Sequence, residues 1–206
     1  MELLANKMRP KSLEEVIGQK HLIGKDKVLS NLVANGKIFS MILYGRPGIG
    51  KTSIANALIN ELHIRSKFLN ATTNNKADFD IAIEEAKMYG EMILVIDEIH
   101  RMNKDKQDIL LPHIESGLII LIGLTTSNPY HKINPAIRSR CQIYELKELS
   151  IEDIMEGLKR AYSYLPDLKI EEDALKYIAT LSSGDFRSAL NTLEAVSYTH
   201  LTLPTT

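Results

Sequence analysis

A short segment near position 50 has the spacing of a loop that binds phosphate groups. It runs from Gly45 to Thr52 and reads Gly-Arg-Pro-Gly-Ile-Gly-Lys-Thr, which fits the pattern G-x-x-x-x-G-K-[ST]. Backbone N–H groups of such a loop curl around phosphate oxygens, while Lys51 reaches the β- and γ-phosphates and the Thr52 hydroxyl binds Mg²⁺. The spacing therefore predicts a nucleoside triphosphate site that contains Gly45, Pro47, Gly48, Ile49, Gly50, Lys51, Thr52 and Ser53.

The sequence on both sides of this loop supports that interpretation. Residues 38–44 form an apolar run that predicts a buried strand, and Ile54, Leu58 and Leu62 recur at helical spacing. A bound phosphate would then lie at a helix N-terminus, where unpaired N–H groups and the helix dipole favour an anion. A glycine-rich turn with a chance Lys-Thr pair is the weaker alternative.

Two adjacent acids end the buried strand predicted at Met92–Asp97. Asp97 and Glu98 follow a run of aliphatic residues, at the carboxyl end of the strand, where open α/β sheets bind their ligands. Asp97 is expected to hold Mg²⁺ through the water shell of the ion, and Glu98 is expected to be the general base that activates the attacking water. Acids that simply terminate a strand are the alternative, but this pair is hard to explain without a metal.

Polar residues later in the chain occur in an order that suits phosphate chemistry. Asn128 follows the next buried strand and could orient the water or the γ-phosphate, although Asn is also a common turn residue. Arg138 and Arg140 precede the last strand, where an arginine could reach the γ-phosphate of a neighbouring subunit. Arg187 opens the last predicted helix and could bind the γ-phosphate from the lid side. Solvated surface charge is the alternative for Arg138 and Arg140.

Strands and helices alternate along the first 149 residues. Strands are also predicted at Lys67–Asn70, Leu118–Thr126 and Gln142–Leu146, and helices at Ala77–Tyr89 and Lys104–Glu115. Pro112 is expected to kink the second of these helices or to end it early. The alternation predicts an α/β fold in which helices cover both faces of a parallel sheet.

The character of the sequence changes near Ser150. Helices without apolar strands are predicted at Ile151–Tyr162, where Ser150 and Asp153 form a cap, and at Glu171–Leu181 and Asp185–Val196. These boundaries divide the chain into an α/β nucleotide-binding domain at 1–149 and a partial helical domain at 150–196. The uncharged residues 197–206 are left out of the fold because they are poor helix formers, and they are either a natural linker or foreign to the protein.

The composition is that of an ordinary globular chain, with 206 residues and a net charge of −1. A net charge this close to zero excludes a positive electrostatic field over the whole protein. Any contact with nucleic acid must therefore come from a local basic patch or an assembled ring. The single Cys141 excludes an internal disulfide, and no apolar run is long enough to span a bilayer. We therefore expect a cytoplasmic protein.

The order of these motifs resembles that of AAA+ ATPases. Asn128, Arg140 and Arg187 follow the two Walker segments in the family's order of sensor 1, arginine finger and sensor 2. The amino-acid sequences of several segments are similar to those of the RarA/MgsA family. Its members are the replication-associated recombination proteins, which are related to the Werner-helicase-interacting ATPase. The segments that carry this resemblance are residues 4–10, 16–22, 97–101, 106–108, 125–129 and 184–194.

The resemblance implies an AAA+ P-loop fold, with a five-stranded parallel sheet between helices and then a small helical lid. It places the arginine finger on Arg140 and sensor 2 on Arg187, and it implies that Val16 and Ile17 line the adenine pocket. It further implies DNA-dependent hydrolysis of ATP with Mg²⁺ at forks, gaps or DNA ends. Single-stranded-DNA-binding protein is the implied partner, and a homo-oligomer is the implied working form.

The resemblance also implies that this sequence lacks the end of the lid and the family's tetramerisation region. That puts stable assembly of this chain, and catalysis by Arg140 in a neighbouring subunit, in question.

Other classes share parts of this pattern. A Holliday-junction branch-migration motor of the RuvB kind has the same Arg-Pro…Ile-Gly-Gln opening and the same Gly-Asp-x-Arg motif. Residues 21–24, 100–101 and 106–108, however, are more similar to RarA. A clamp-loader-like switch would use ATP binding without turnover, whereas Glu98 and Arg140 favour turnover. A small-molecule kinase is disfavoured by the set of Asn128, Arg140 and Arg187.

Overall fold

Residues 2–202, which the computed structural model describes, fold around a parallel sheet of five strands. The strands are Met41–Tyr44 (β1), Ser66–Asn70 (β2), Met92–Asp97 (β3), Ile119–Thr125 (β4) and Gln142–Glu145 (β5). Their order in the sheet is β2-β3-β4-β1-β5, and each pairing is parallel. The predicted α/β fold with a five-stranded parallel sheet is confirmed.

Helices connect and cover the strands. The α-helices are Leu4–Lys7 (α1), Val28–Ala34 (α2), Lys51–Leu62 (α3), Lys76–Tyr89 (α4), Lys104–Glu115 (α5), Pro129–Lys132 (α6), Pro135–Arg138 (α7), Ile151–Tyr162 (α8), Glu172–Leu181 (α9) and Phe186–Thr202 (α10). Single 3₁₀ turns lie at Leu13–Glu15 and Ile99–Arg101. Within residues 2–202, none of these helices has the length and apolar character needed to cross a membrane.

The central strands are buried because helices cover both faces of the sheet. Residues 92–96 of β3 are fully buried, which is why this segment reads as a continuous aliphatic run. One buried cluster joins α3 and one face of the sheet to α8, α9 and α10, and a second cluster joins the other face to α4 and α5. The helical part of the chain therefore shares its core with one face of the sheet.

Side-chain hydrogen bonds set several helix boundaries. Ser150 and Asp153 form the predicted reciprocal cap of α8. α10 continues beyond the predicted end at Val196, where Ser197 is buried and the hydroxyls of Ser197 and Thr199 donate to carbonyls of the preceding turn. Residues 203–206 of the predicted tail lie outside the described residues, and the division into domains stays a prediction.

The proline in α5 does not end this helix early. α5 runs through Pro112 to Glu115. Leu110 and Ile114 lie on either side of the proline and are buried in the cluster shared with α4. Burial of these side chains compensates for the backbone hydrogen bond that proline cannot donate.

Candidate active site

The phosphate loop connects β1 to α3 at the carboxyl edge of the sheet. A Cβ at Gly45 would lie 2.9 Å from the carbonyl oxygen of Leu146, and Gly48 has a φ of 71°. A Cβ at Gly48 would also lie 1.8 Å from the Asp185 Oδ1 atom. Both positions therefore require glycine, and α3 begins directly after the loop, with its unpaired N–H groups at the loop.

Lys51 lies among backbone carbonyls of the loop. Its Nζ atom donates hydrogen bonds to the carbonyl oxygens of Gly45 at 2.7 Å and Arg46 at 2.6 Å. Burial lowers the pKa of Lys51 to about 8, while Asp97 opposes this shift and Arg187 adds to it. An anion bound in the loop would favour the charged ammonium, so the position suits the predicted contact with phosphate.

Asp97 and Thr52 supply oxygen atoms of the kind that Mg²⁺ prefers. Asp97 ends β3, Thr52 lies in the first turn of α3, and both residues line the same cavity. The Asp97 Oδ1 atom accepts a hydrogen bond from the Glu98 N–H at 2.8 Å, which fixes the orientation of the carboxylate. Mg²⁺ takes few protein oxygens and keeps several waters, so this donor set fits the ion.

Glu98 is held by a residue that the sequence analysis missed. The Thr72 hydroxyl donates a hydrogen bond to the Glu98 Oε2 atom at 2.7 Å. Thr72 follows β2, and the sheet register pairs Asn70 of β2 with Asp97 of β3, so the ends of these strands lie side by side. A hydroxyl just beyond the neighbouring strand is the signal that identifies Thr72, but the order of strands is needed to recognise it.

A second missed hydroxyl lies at the end of β4. Thr125 is buried, its hydroxyl lies 2.7 Å from the His100 Nδ1 atom, and it accepts a hydrogen bond from the Ser127 N–H at 3.0 Å. β4 lies between β1 and β3, so its last residue lies between the phosphate loop and Asp97. Burial and, to a lesser extent, the charge of Arg101 lower the pKa of His100, which favours the neutral imidazole.

The structure does not bring Asn128 into this group. Its side-chain oxygen accepts a hydrogen bond from the Tyr130 N–H at 3.0 Å and caps α6, and the residue is exposed. Thr125 and Thr126, at the end of the same strand, line the cavity instead. This geometry fits a turn residue, the alternative that the sequence left open, better than a contact with the γ-phosphate.

The helical lid contacts the phosphate loop through its backbone. The Phe186 N–H donates a hydrogen bond to the Gly48 carbonyl at 2.9 Å. Asp185 caps the same helix by accepting a hydrogen bond from the Ser188 N–H at 3.0 Å. These bonds fix the first turn of α10 beside the loop, and Arg187 in that turn lines the cavity from the lid side.

These parts enclose a cavity of about 500 Å³, a size that suits a nucleotide. The predicted residues in its lining are Val16, Ile17, Pro47, Gly48, Ile49, Gly50, Lys51, Thr52, Ser53, Asp97, Glu98 and Arg187. Gly45, Asn128 and Arg140 do not line it. The N-terminal residues Ala5, Asn6, Met8, Arg9 and Pro10 also line the cavity, and the sequence analysis assigned them no role.

A buried glutamine ties the N-terminal segment to the phosphate loop. Gln19 is 4% exposed, and its Nε2 atom donates to the carbonyl oxygens of Ile49 at 2.9 Å and Lys147 at 2.8 Å. Its Oε1 atom accepts a hydrogen bond from the Lys147 N–H at 2.9 Å. A buried amide bonded at both ends is rigid, so it holds the nearby Val16 and Ile17 beside the loop.

Arg140 lies outside the lining of this cavity. Its guanidinium donates to the Ala136 carbonyl at 2.6 Å and pairs with Glu115, the last residue of α5. This position is compatible with a role in the site of a neighbouring subunit. Burial raises the pKa of the adjacent Cys141 thiol to about 12, so the thiol stays protonated at neutral pH and is a poor nucleophile.

Comparison with protein families gives the class of this fold and site. The chain matches the family described as "ATPase family associated with various cellular activities (AAA)" over residues 41–149. The matched residues include all five strands of the sheet, the phosphate loop and the acidic pair. This protein belongs to the AAA family of ATPases.

Several relatives carry the name replication-associated recombination protein A, and the resemblance to the RarA family is confirmed. The chain is 50% identical over 204 residues to replication-associated recombination protein A of Bacillus subtilis, covering 94% of this chain and 48% of the relative. The protein of the same name from Escherichia coli K12 is 40% identical over 205 residues, covering 94% of this chain and 46% of the relative. The chain thus spans about half the length of these relatives.

A eukaryotic relative and a solved structure extend the comparison. ATPase WRNIP1 of Dictyostelium discoideum is 39% identical over 200 residues, covering 93% of this chain and 23% of the relative. The RuvB Holliday junction branch migration motor of Thermotoga maritima has a TM-score of 0.76 and is 32% identical, covering 89% of this chain and 63% of that chain. The similarity to this solved structure supports the sheet and helix arrangement described above.

Proposed function

We propose that this protein binds ATP with Mg²⁺, hydrolyses it, and uses the cycle to act on DNA in replication-fork maintenance, recombination and repair. The observation that carries the proposal is the convergence of Lys51, Asp97, Glu98 and Arg187 on one cavity between sheet and lid. Membership of the AAA family and the identity to replication-associated recombination proteins support it.

In this mechanism the chain's own groups bind the triphosphate and activate water. Lys51 and the N–H groups at the start of α3 bind phosphate oxygens, and Arg187 approaches from the lid. Thr52 and Asp97 hold Mg²⁺, which neutralises phosphate charge when bound. Glu98 accepts a proton from the attacking water while the Thr72 hydroxyl fixes the direction of its carboxylate.

The proposal includes a neighbouring subunit. Arg140 lies outside the lining of the cavity in its own chain, which supports a contact with the γ-phosphate of a neighbouring subunit. A planar guanidinium neutralises the charge that develops on the phosphate in the transition state. We therefore propose a homo-oligomer as the form that turns over ATP.

The proposed substrate is DNA at forks, gaps or ends, and single-stranded-DNA-binding protein is the proposed partner. The names of the bacterial relatives, which refer to replication and recombination, support DNA as the substrate, whereas the partner rests on the family resemblance alone. A net charge of −1 gives one chain little general attraction for DNA. We therefore expect the DNA-binding surface to form when subunits assemble.

A RuvB-like branch-migration motor is the second candidate function. The TM-score of 0.76 to the RuvB motor favours it. A four-way junction would then stimulate ATP turnover more than a gapped fork does. Stronger stimulation by the gapped fork would favour the replication-fork function. A clamp-loader-like switch is the third candidate, and it would show ATP binding without turnover.

The experiment that tests the proposal measures ATP turnover per chain against protein concentration, with and without gapped fork DNA. We expect turnover to rise with concentration and to rise again with DNA, because both favour contact between Arg140 and a neighbouring site. A rate that stays near zero while ATP binds would contradict hydrolysis by this chain.

A further inference from the structure

An unusual feature of α5 is a buried ammonium group that the mechanism above does not use. Lys106 is 8% exposed, its Nζ atom donates to the Ala71 carbonyl at 2.9 Å, and it lies 5.4 Å from the centre of the Phe79 ring. Lysine is rarely buried, because removing its charge from water is unfavourable unless hydrogen bonds compensate. Lys104, on the same helix, is exposed. The position of Lys106 therefore needs a specific explanation.

The carbonyl that Lys106 binds belongs to the segment that carries Thr72. The Ala71 N–H donates to the Asp97 carbonyl at 3.0 Å, and the Asn70 side chain accepts a hydrogen bond from the Thr72 N–H at 2.8 Å. Lys106 adds a hydrogen bond from the opposite side, on the Ala71 oxygen. Together these bonds fix the backbone on both sides of the peptide group that joins Ala71 to Thr72.

The orientation of this peptide group sets the position of the Thr72 Cα, from which the hydroxyl projects. A peptide group is planar, so fixing its carbonyl oxygen also fixes the direction in which the next residue leaves the plane. In the structure that direction places the Thr72 hydroxyl 2.7 Å from Glu98 Oε2. Without the ammonium, the Ala71 oxygen would lose its buried partner, and rotation of the peptide group would move the hydroxyl away from Glu98.

We propose that Lys106 is a positioning residue for ATP hydrolysis, acting through the Ala71 carbonyl and the Thr72 hydroxyl on the carboxylate of Glu98. The inference rests on the proposed function, because it assigns Glu98 as the base. Lys106 does not line the nucleotide cavity. Its removal therefore affects turnover and leaves nucleotide affinity unchanged, since Lys51 and the phosphate loop bind ATP.

A purely structural role for Lys106 predicts different results. The ammonium joins α5 to Phe79 of α4 and to the segment after β2, so it could serve only to hold these elements together. Its loss would then change the free energy of unfolding without a specific effect on turnover. The two roles are separated by a Lys106 variant that is well folded. The positioning role predicts that this variant turns over ATP more slowly and that replacing Lys106 causes no further loss when Thr72 is also replaced.

The test compares Lys106→Met, Thr72→Val and the double variant in the full 206-residue chain. We expect each single variant to lower kcat about tenfold, because the carboxylate of Glu98 loses its fixed direction, with an unchanged Kd for a non-hydrolysable ATP analogue. The double variant should be no slower than Thr72→Val alone, since both changes remove the same contact. Lys104→Met is the matched control and should keep the parent kcat.

Effects that multiply to about a hundredfold in the double variant would overturn the proposal, as would an unchanged kcat in Lys106→Met. Thermal unfolding of each variant shows whether it is folded. If Lys106→Met does not fold, Lys106→Gln replaces it, because the amide keeps a donor but is too short to keep the ammonium contact.

Amide hydrogen exchange in the nucleotide-free chain gives a readout that does not depend on hydrolysis. We expect Lys106→Met to speed exchange at the Ala71 and Thr72 amides, while Lys104→Met leaves these amides unchanged. Unchanged exchange in Lys106→Met would overturn the positioning role. A parent chain without turnover would contradict the proposed function, and the exchange result would still decide whether Lys106 fixes this segment.

Discussion

The two neighbouring acids at the end of β3 have different partners. The carboxylate of Asp97 accepts a hydrogen bond from a backbone N–H, whereas the carboxylate of Glu98 is oriented by a side-chain hydroxyl. The first arrangement suits a group that holds an ion in place. The second suits a base, because the remaining oxygen of Glu98 is available to accept a proton from water.

We predict that Glu98→Gln keeps nucleotide affinity and loses hydrolysis. The amide has nearly the same shape but cannot accept the proton, so turnover should fall by at least about a hundredfold. Binding of a fluorescent ATP analogue and release of phosphate measure the two effects. Glu91→Gln, just before the opposite end of β3, is the control and should match the parent protein. Unchanged turnover in Glu98→Gln would exclude Glu98 as the base.

The lowered pKa of Lys51 predicts a proton uptake when ATP binds. With a pKa of about 8 in the free protein, Lys51 is partly neutral at pH 8, and the phosphates favour its charged form. We expect binding at pH 8 to take up about half a proton and affinity to fall as the pH rises above 8. Calorimetry in buffers of different ionisation enthalpy measures this uptake.

Lys51→Arg is the control for that measurement. A guanidinium stays charged throughout this pH range, so the part of the proton uptake that comes from Lys51 should disappear. Equal uptake in the two proteins would show that another group takes the proton.

At the scale of secondary-structure elements, the aliphatic runs predicted the strands well. β3 and β4 are buried on both faces, so their sequences carry little ambiguity. The end of α10 and the effect of Pro112 were harder to predict, because packing against other elements outweighs the local preferences of serine, threonine and proline. The order of the strands, which brings Thr72 to Glu98, depends on contacts between distant segments.

The contact between the first turn of α10 and the phosphate loop leads to a prediction for Gly48→Ala. The new Cβ would clash with the Asp185 carboxylate, which must turn away and so lose its hydrogen bond to the Ser188 N–H in the first turn of α10, where Arg187 lies. We expect affinity for an ATP analogue to fall by about tenfold or more, because an alanine at a φ of 71° also strains the backbone of the loop. Titration with the labelled analogue measures this loss.

Gly36→Ala is the matched control, because it separates backbone strain from the clash. Gly36 has a φ of 61°, and a Cβ there meets no atom of the described chain within 4 Å. It should cost about 1 kcal/mol of unfolding free energy without a change in nucleotide affinity. Equal losses of affinity in both variants would argue against the contact between Gly48 and Asp185.

At the scale of the whole molecule, the cavity draws on segments that are far apart in the sequence. The phosphate loop and the acidic pair could be predicted because their residue types and spacing are diagnostic by themselves. The N-terminal residues near Arg9 have no such signature, and only the folded chain brings them to the cavity. The role of Arg140 stays a prediction from its place in the motif order, and its contact with Glu115 could not be predicted.

Mixing two inactive variants tests whether Arg140 acts in a neighbouring subunit. Glu98→Gln lacks the base but keeps the arginine, and Arg140→Ala lacks the arginine but keeps the base. In an equal mixture, about a quarter of the interfaces pair an intact site with an intact arginine, so about a quarter of the parent turnover should return. Turnover that stays at the level of the single variants would contradict catalysis across the interface.

The hydrogen bond from the Phe186 N–H to the Gly48 carbonyl joins two backbone groups. Substitution of Phe186 therefore leaves the donor N–H and the acceptor carbonyl in place. Proline is the exception because it has no N–H to donate. The sequence of the lid can thus change over evolution while its attachment to the loop persists. This attachment depends on the path of the backbone, so lids with different side chains can share it.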